Sequence, residues 1–462
     1  MKRMNQNRGR TPPGIEPTNT NSRSRHRLRL THALLFGIIL LAGIPGEAKA
    51  QVPPGTNFLQ FLSHFQPEDS ATAAAYYQAV DPLNKRTTAA DWAANAGFVA
   101  NAANYVSKGS PGNPGDAEAI ANSYSFALYQ NATDLGFIRR MFIRVVPSIT
   151  AKNPSLYSYV ENYFYRSDLA DPYSDARART NRIATVAFEW VPAADGSNPG
   201  KKFGTIYTFN GNDQRAPGGV PFAPNLDGEG AKQQPGVCLV CHGGLPSVTV
   251  NGVYPNKGQI KDFKFLPFDL DNFAYDTIDP NLSRAAQENA FRRFNEAVLL
   301  THPKTIEADD QGVRRQTAGR ELIEGWYGGP AGVNNLLPVH LFNGNFTPKG
   351  WREPVNGGTA PVGSEYLYQT TLARSCRGCH VQQELSLDLA TQPGFMTKVD
   401  GLKDLVLRVQ CSADPAPAPG RRDDRRFMPD ALLTYQRFWE NPAQVSALKN
   451  YLLSLGITLP CP

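Results

Sequence analysis

The chain has 462 residues, 41% of them hydrophobic and 19% charged, enough for a large core and more than one domain. Its formal charge of +6 is concentrated at the start. Residues 1–50 hold nine Lys/Arg and two Asp/Glu, so the remainder carries 38 basic and 39 acidic side chains. A net charge near −1 removes the basic surface that nucleic-acid binding needs, and no nucleic-acid partner is expected.

The leading segment reads as a targeting signal. "RSRHRLRLTH" is a basic stretch, Ala33–Pro45 is an apolar run, and Ala48–Ala50 offers an A-x-A cleavage site. Residues 1–50 are therefore expected to be a signal peptide cleaved near Ala50, leaving the protein in the periplasm or otherwise exported. The apolar run falls short of the roughly 20 residues that span a bilayer. No later segment reaches that length, so no stable membrane span is expected in the mature chain.

Residues 51–180 read as a helical N-terminal region with Ala-rich and aromatic faces. Within it, Met141 in "NATDLGFIRRMFIR" is read as an apolar position on a buried helix. Residues 181–354 form the next expected unit. "ATVAFEWV" and "GTIYTFNG" are rich in β-branched and aromatic residues, and the Gly/Pro-containing link between them predicts a β-hairpin.

The chemistry concentrates in "CLVCH" (Cys238, Cys241, His242) and "CRGCH" (Cys376, Cys379, His380). C-x-x-C-H is the attachment signature of c-type haem. Each thiol adds to one vinyl group of the porphyrin, and the adjoining imidazole ligates iron. A thioredoxin-like dithiol has no need of the histidine, and a zinc site needs a further ligand pair for each motif. Two such motifs among only six cysteines, behind an export signal, predict two covalently bound haem c groups. His242 and His380 are then the proximal ligands.

Beyond the first motif, "FDLDNFAYDTIDPN" clusters Asp269, Asp271, Asp276 and Asp279. No glycine stands where a calcium loop requires one, so a solvated acidic turn is expected. "LSRAAQENAFRRFNEAVLLTHP" predicts an amphipathic helix ending near His302, with Leu282, Ala286, Ala290, Phe294 and Val298 on its apolar face. Trp326 and Trp351 are expected in the core. "GRRDDRRF" (420–427) is expected to be solvated.

Residues 355–462 form the last expected unit. A short helix leads into the second motif. "NPAQVSALKNYLLSLG" predicts a helix with Asn441 as N-cap, Pro442 at the first helical position and Gly456 after the last turn. Val445, Leu448, Leu452 and Leu455 form its apolar stripe. Cys411 and Cys461 remain, and in an oxidising compartment they are expected to pair.

On these residues the C-terminal segment resembles a class I cytochrome c domain, in which an N-terminal and a C-terminal helix cross beside the haem. Met428–Pro429 matches the sixth-ligand loop of that family. The resemblance implies that Met428 ligates the second iron, giving a six-coordinate centre suited to electron transfer. "NATDLGFIRRMFIR", "FLPFDLDNF" and "ELIEGWYGG" are similar to large bacterial dihaem cytochromes of unassigned function. That likeness covers much of residues 120–440 and supplies no ligand map. For the first iron, Met141 is the leading distal candidate, with His302, His340, His64 or an open position as alternatives. The expected fold is mainly α: cytochrome c-like haem domains with a helical N-terminal region and a small β-hairpin. The expected function is electron transfer between periplasmic redox partner proteins. The alternative is a dihaem peroxidase-like oxidoreductase with a reactive first haem, for which Glu229 and Glu324 are acid–base candidates. It is disfavoured because no histidine follows soon after the first motif.

Overall fold

Five antiparallel strands, paired in chain order, form the central layer: β1 (Tyr124–Gln130), β2 (Ile138–Val146), β3 (Ser155–Tyr163), β4 (Ala184–Val191) and β5 (Phe203–Asn210). The computed structural model describes residues 69–98, 124–192, 202–243, 263–302, 307–308, 314–315, 317–332, 335–381, 389–397, 428 and 430–458. All belong to the unit Ala50–Pro462. The leader, His64, Cys411, Pro429, Cys461 and the run 420–427 lie outside the described residues.

The sheet corrects the expectation of a mainly α fold: the chain is mixed α/β. β4 and β5 are the expected hairpin, but they continue a sheet whose first three strands lie in the segment read as helical. Met141 accordingly stands in β2, not on a helix. "IRRMFIRVV" misleads because Ile138, Met141, Phe142 and Val145 fall at helical spacing. The structure instead buries both faces of the strand, and places Arg140 on one of them. Its guanidinium reaches Glu161 at 3.1 Å, a carboxylate that Arg179 and Arg182 also pair with. The boundary expected at 180/181 falls between β3 and β4, which pair from Leu156–Trp190 to Asn162–Ala184.

Side chains alternate across the strands, so register assigns each face. Phe142, Tyr157 and Tyr159 share one face with Arg140. Trp92 packs edge-on against Tyr157 and Tyr159 there, from helix Ala89–Asn95, which is held at its start by a Thr88–Asp91 capping box. Met141, Ser158, Val186 and Phe188 lie on the other face. Helix Arg284–Val298 covers part of it, with Ser125 Oγ donating to the Ala290 carbonyl at 3.3 Å.

Each outer strand has the free backbone edge of one residue satisfied by a side chain, which blunts it as a pairing edge. At β1, the buried Gln287 amide accepts from Leu128 N at 2.7 Å and donates to its carbonyl at 2.9 Å. At β5, the Tyr76 hydroxyl accepts from Ile206 N at 2.6 Å and donates to its carbonyl at 2.9 Å.

The C-terminal helix Pro442–Ser454 begins as expected, with Asn441 Oδ1 accepting from Ala443 N at 3.1 Å. Gly456 takes φ +73 after its last turn, where a side chain would be strained. Leu448 and Leu452 are buried. The helix packs across the helical segment 364–375, whose central turn, Tyr368–Leu372, is π-helical. Ser364 Oγ and Tyr451 Oη lie 2.7 Å apart, and Thr371 Oγ1 donates to the Gln444 carbonyl at 3.0 Å. Thr434 Oγ1 donates to the Thr133 carbonyl at 2.8 Å, tying this part to the β1–β2 turn. Among the described residues no helix is long and apolar enough to cross a membrane.

Candidate cofactor site

Helix Gly236–His242 carries the first motif, so Cys238, Cys241 and His242 come from two successive turns. The segment 263–265 clamps the histidine. His242 O accepts from Lys264 N at 2.8 Å, and the imidazole Nδ1 lies 2.9 Å from the Lys264 carbonyl. A carbonyl only accepts, so Nδ1 carries the hydrogen, and Nε2 keeps its lone pair. Phe263 stacks on the ring at 8° and 5.2 Å, and Phe188 from β4 lies against it at 4.8 Å. Burial lowers the His242 pKa to about 4, so the imidazole is neutral near pH 7. Gly204 in β5 makes room for this stack: a Cβ there would lie 2.2 Å from Phe263 Cγ.

Helix Arg377–His380 carries the second motif. Its anchor is Arg377, between the two cysteines. The guanidinium is buried and pairs with Asp269, sits 5.2 Å from the Trp326 ring centroid, and donates to Tyr368 Oη at 3.3 Å. Asn272 Nδ2 bridges Asp269 and the Ala373 carbonyl, both at 2.8 Å. Burial lowers the His380 pKa to about 4, and its buried Nδ1 has no partner among the described residues. A haem-ligating histidine would direct its Nδ1–H at an acceptor, and none of the described residues supplies one to His380.

The acidic cluster is therefore not the solvated turn expected from sequence. Asp269 and Asp276 are buried and pair with Arg377 and Arg177. Asp271 pairs with Arg284 at 2.6 Å, and Asp279 caps the next turn.

The two motif helices pack against each other. A buried trio joins the approaches to them. Lys232, six residues before Cys238, reaches Asp227 at 2.5 Å and Asp430 at 3.4 Å, while Asp430 N donates to Asp227 at 3.1 Å. The Met428 loop is thus fastened to the lead-in of the first motif. Met428 itself is half-buried and packs against the cluster of Ala431 and Tyr435.

The remaining candidates separate clearly. Met141 shares its sheet face with Phe188, two strands away, and its sulfur lies 4.0 Å from Ser158 Oγ. His302 is 1% exposed and has both ring nitrogens engaged: Nε2 faces the Phe265 carbonyl at 3.1 Å and Nδ1 faces Thr317 Oγ1 at 2.9 Å. His340 is exposed above Gly328. Glu229 is exposed, and Glu324 accepts from Arg320 and from Ala331 N. Trp326 and Trp351 are both buried, as expected, and Trp326 adjoins the second motif.

Sequence reasoning missed Lys264, Phe263 and Gly204, because any residue supplies a carbonyl and nothing marks a distant phenylalanine as a stacking partner. The Arg377–Asp269 pair carried a faint signal, an arginine inside one motif and an acidic cluster unexplained elsewhere. Set against known protein families, curated proteins and solved structures, the chain finds no match.

Proposed function

We propose that this chain is an exported dihaem c-type cytochrome that transfers electrons between periplasmic redox partner proteins. The observation that carries the reading is the His242–Lys264 hydrogen bond. It fixes the tautomer whose Nε2 lone pair a metal needs, directly after two thiols spaced for haem attachment. Haem, when bound, supplies one-electron iron chemistry.

In this reading Cys238 and Cys241 tether one group, Cys376 and Cys379 the other, and His242 and His380 hold the two irons. Phe188 and Phe263 keep water from the first imidazole and hold its plane. Met428 would supply the thioether to the second iron, and a thioether ligand raises the potential. Met141 is the candidate at the first, on the sheet face against which His242 packs. Electrons enter and leave by way of partner proteins docking on the surface.

The test is mass spectrometry of protein produced in a host that exports and attaches haem. A gain of about 1.2 kDa over the processed polypeptide, or two haems, is expected. A colourless chain at polypeptide mass overturns the proposal.

A further inference from the structure

In the linear sequence the two motifs are far apart, yet the fold makes them neighbours. Their helices, Gly236–His242 and Arg377–His380, pack together, and each carries the second cysteine of its motif, the one adjoining the histidine. The approach is held from several sides. Arg377 is locked to Asp269, Trp326 and Tyr368, and His242 is clamped by Lys264 and Phe263. The Lys232, Asp227 and Asp430 trio fastens the lead-in of one motif to the loop of the other.

We infer that the two motifs build one site, in which two haems, once tethered through Cys241 and Cys379, would lie close enough for an electron to pass directly between them. The inference rests on the haem reading above. Electron passage at this contact makes and breaks no bond and moves no proton: one iron goes from ferrous to ferric as the other goes from ferric to ferrous. In that arrangement the two centres would share a response, because the charge on one iron would be felt at the other.

The test uses the haem-loaded protein and reads Soret-band circular dichroism, which becomes bisignate when two haem transitions couple at close range. Wild type is expected to show such a couplet in the diferric state. Two single-motif variants, Cys238→Ala/Cys241→Ala and Cys376→Ala/Cys379→Ala, are expected to show bands of one sign. A wild-type spectrum equal to the sum of the two variants, with two haems present by mass, overturns the inference and leaves the haem reading intact. A chain with no haem overturns both. Should either variant fail to fold, electron paramagnetic resonance of wild type alone decides. The low-spin signal of one centre should change when the other is reduced, and an unaltered signal overturns the contact.

Discussion

Arg377→Met tests whether the second motif is held by a desolvated ion pair. The substitution keeps an apolar stem and removes the guanidinium, whose side chain is 3% exposed beside an Asp269 side chain that is 10% exposed. Asp269 is then left with the Asn272 amide at 2.8 Å and Asp271 N at 3.3 Å. Two neutral donors do not replace a cation. Stranding one partner of a buried pair costs about 3–5 kcal/mol, because the carboxylate stays out of water without its counter-charge. Part of the loss should come back in Asp269→Asn/Arg377→Met, where no charge is stranded and an acceptor still faces Asn272. A recovery of about 2 kcal/mol is expected, so the two changes should be far from additive. Urea unfolding of the haem-loaded protein, followed by far-ultraviolet circular dichroism, measures both. A cost below about 1 kcal/mol for the single change, the range of surface pairs, would refute the reasoning. So would strict additivity.

Met428→Ala should lower the potential of the second haem and abolish the sulfur-to-iron charge-transfer band; an unchanged spectrum sinks the assignment. His302→Asn should leave the visible spectrum as it is while flattening the acid side of the stability curve. The unfolded chain protonates this histidine near its usual pKa of 6.5, whereas burial lowers it in the folded state to about 3. Wild type therefore loses stability as pH falls through that window, at about 1.4 kcal/mol per unit from this residue. Equal pH slopes in wild type and variant, measured by urea midpoints between pH 6 and 4, would contradict it. Gly204→Val drives a side chain into Phe263 and should cost about 1–3 kcal/mol by overpacking. It should also shift the potential of the first haem, and a titration in which neither potential moves rejects the proposed role of the stack.

The elements legible in the sequence are those whose signals are local. Asn441, Pro442 and Gly456 marked the C-terminal helix because a cap, a preset φ and a left-handed stop each act within one turn. The β4–β5 hairpin was legible from β-branched and aromatic content around a Gly/Pro link. β1 to β3 were hidden because tertiary contacts override their pattern. Arg140 and Glu161 are buried together, and the Arg140 guanidinium lies 5.1 Å from the Phe126 ring centroid, so charge falls where alternation calls for apolar residues. The motif residues were legible as residue types, whereas their contact with each other was not. Nothing in the order of residues says that the helices Gly236–His242 and Arg377–His380 meet, since packing across the fold decides it.

The histidines show how little of a ligand's identity resides in residue type or burial alone. His302 is buried and His242 half-buried against the 263–265 segment, and desolvation lowers both pKa values far enough to keep the rings neutral. They differ in what the second nitrogen meets. At His302, Nε2–H donates to the Phe265 carbonyl and Nδ1 accepts from the Thr317 hydroxyl, whose oxygen accepts in turn from Arg320 N at 3.4 Å. That ring is complete without a metal, and its work is to join the 263–265 segment to the helix Thr317 caps. At His242 one carbonyl fixes Nδ1–H, leaving a basic nitrogen at the end of a cysteine-bearing helix. The same short segment thus clamps one histidine, the proposed ligand, through the Lys264 carbonyl and holds the other through the Phe265 carbonyl. A lesion there should strike fold and cofactor together.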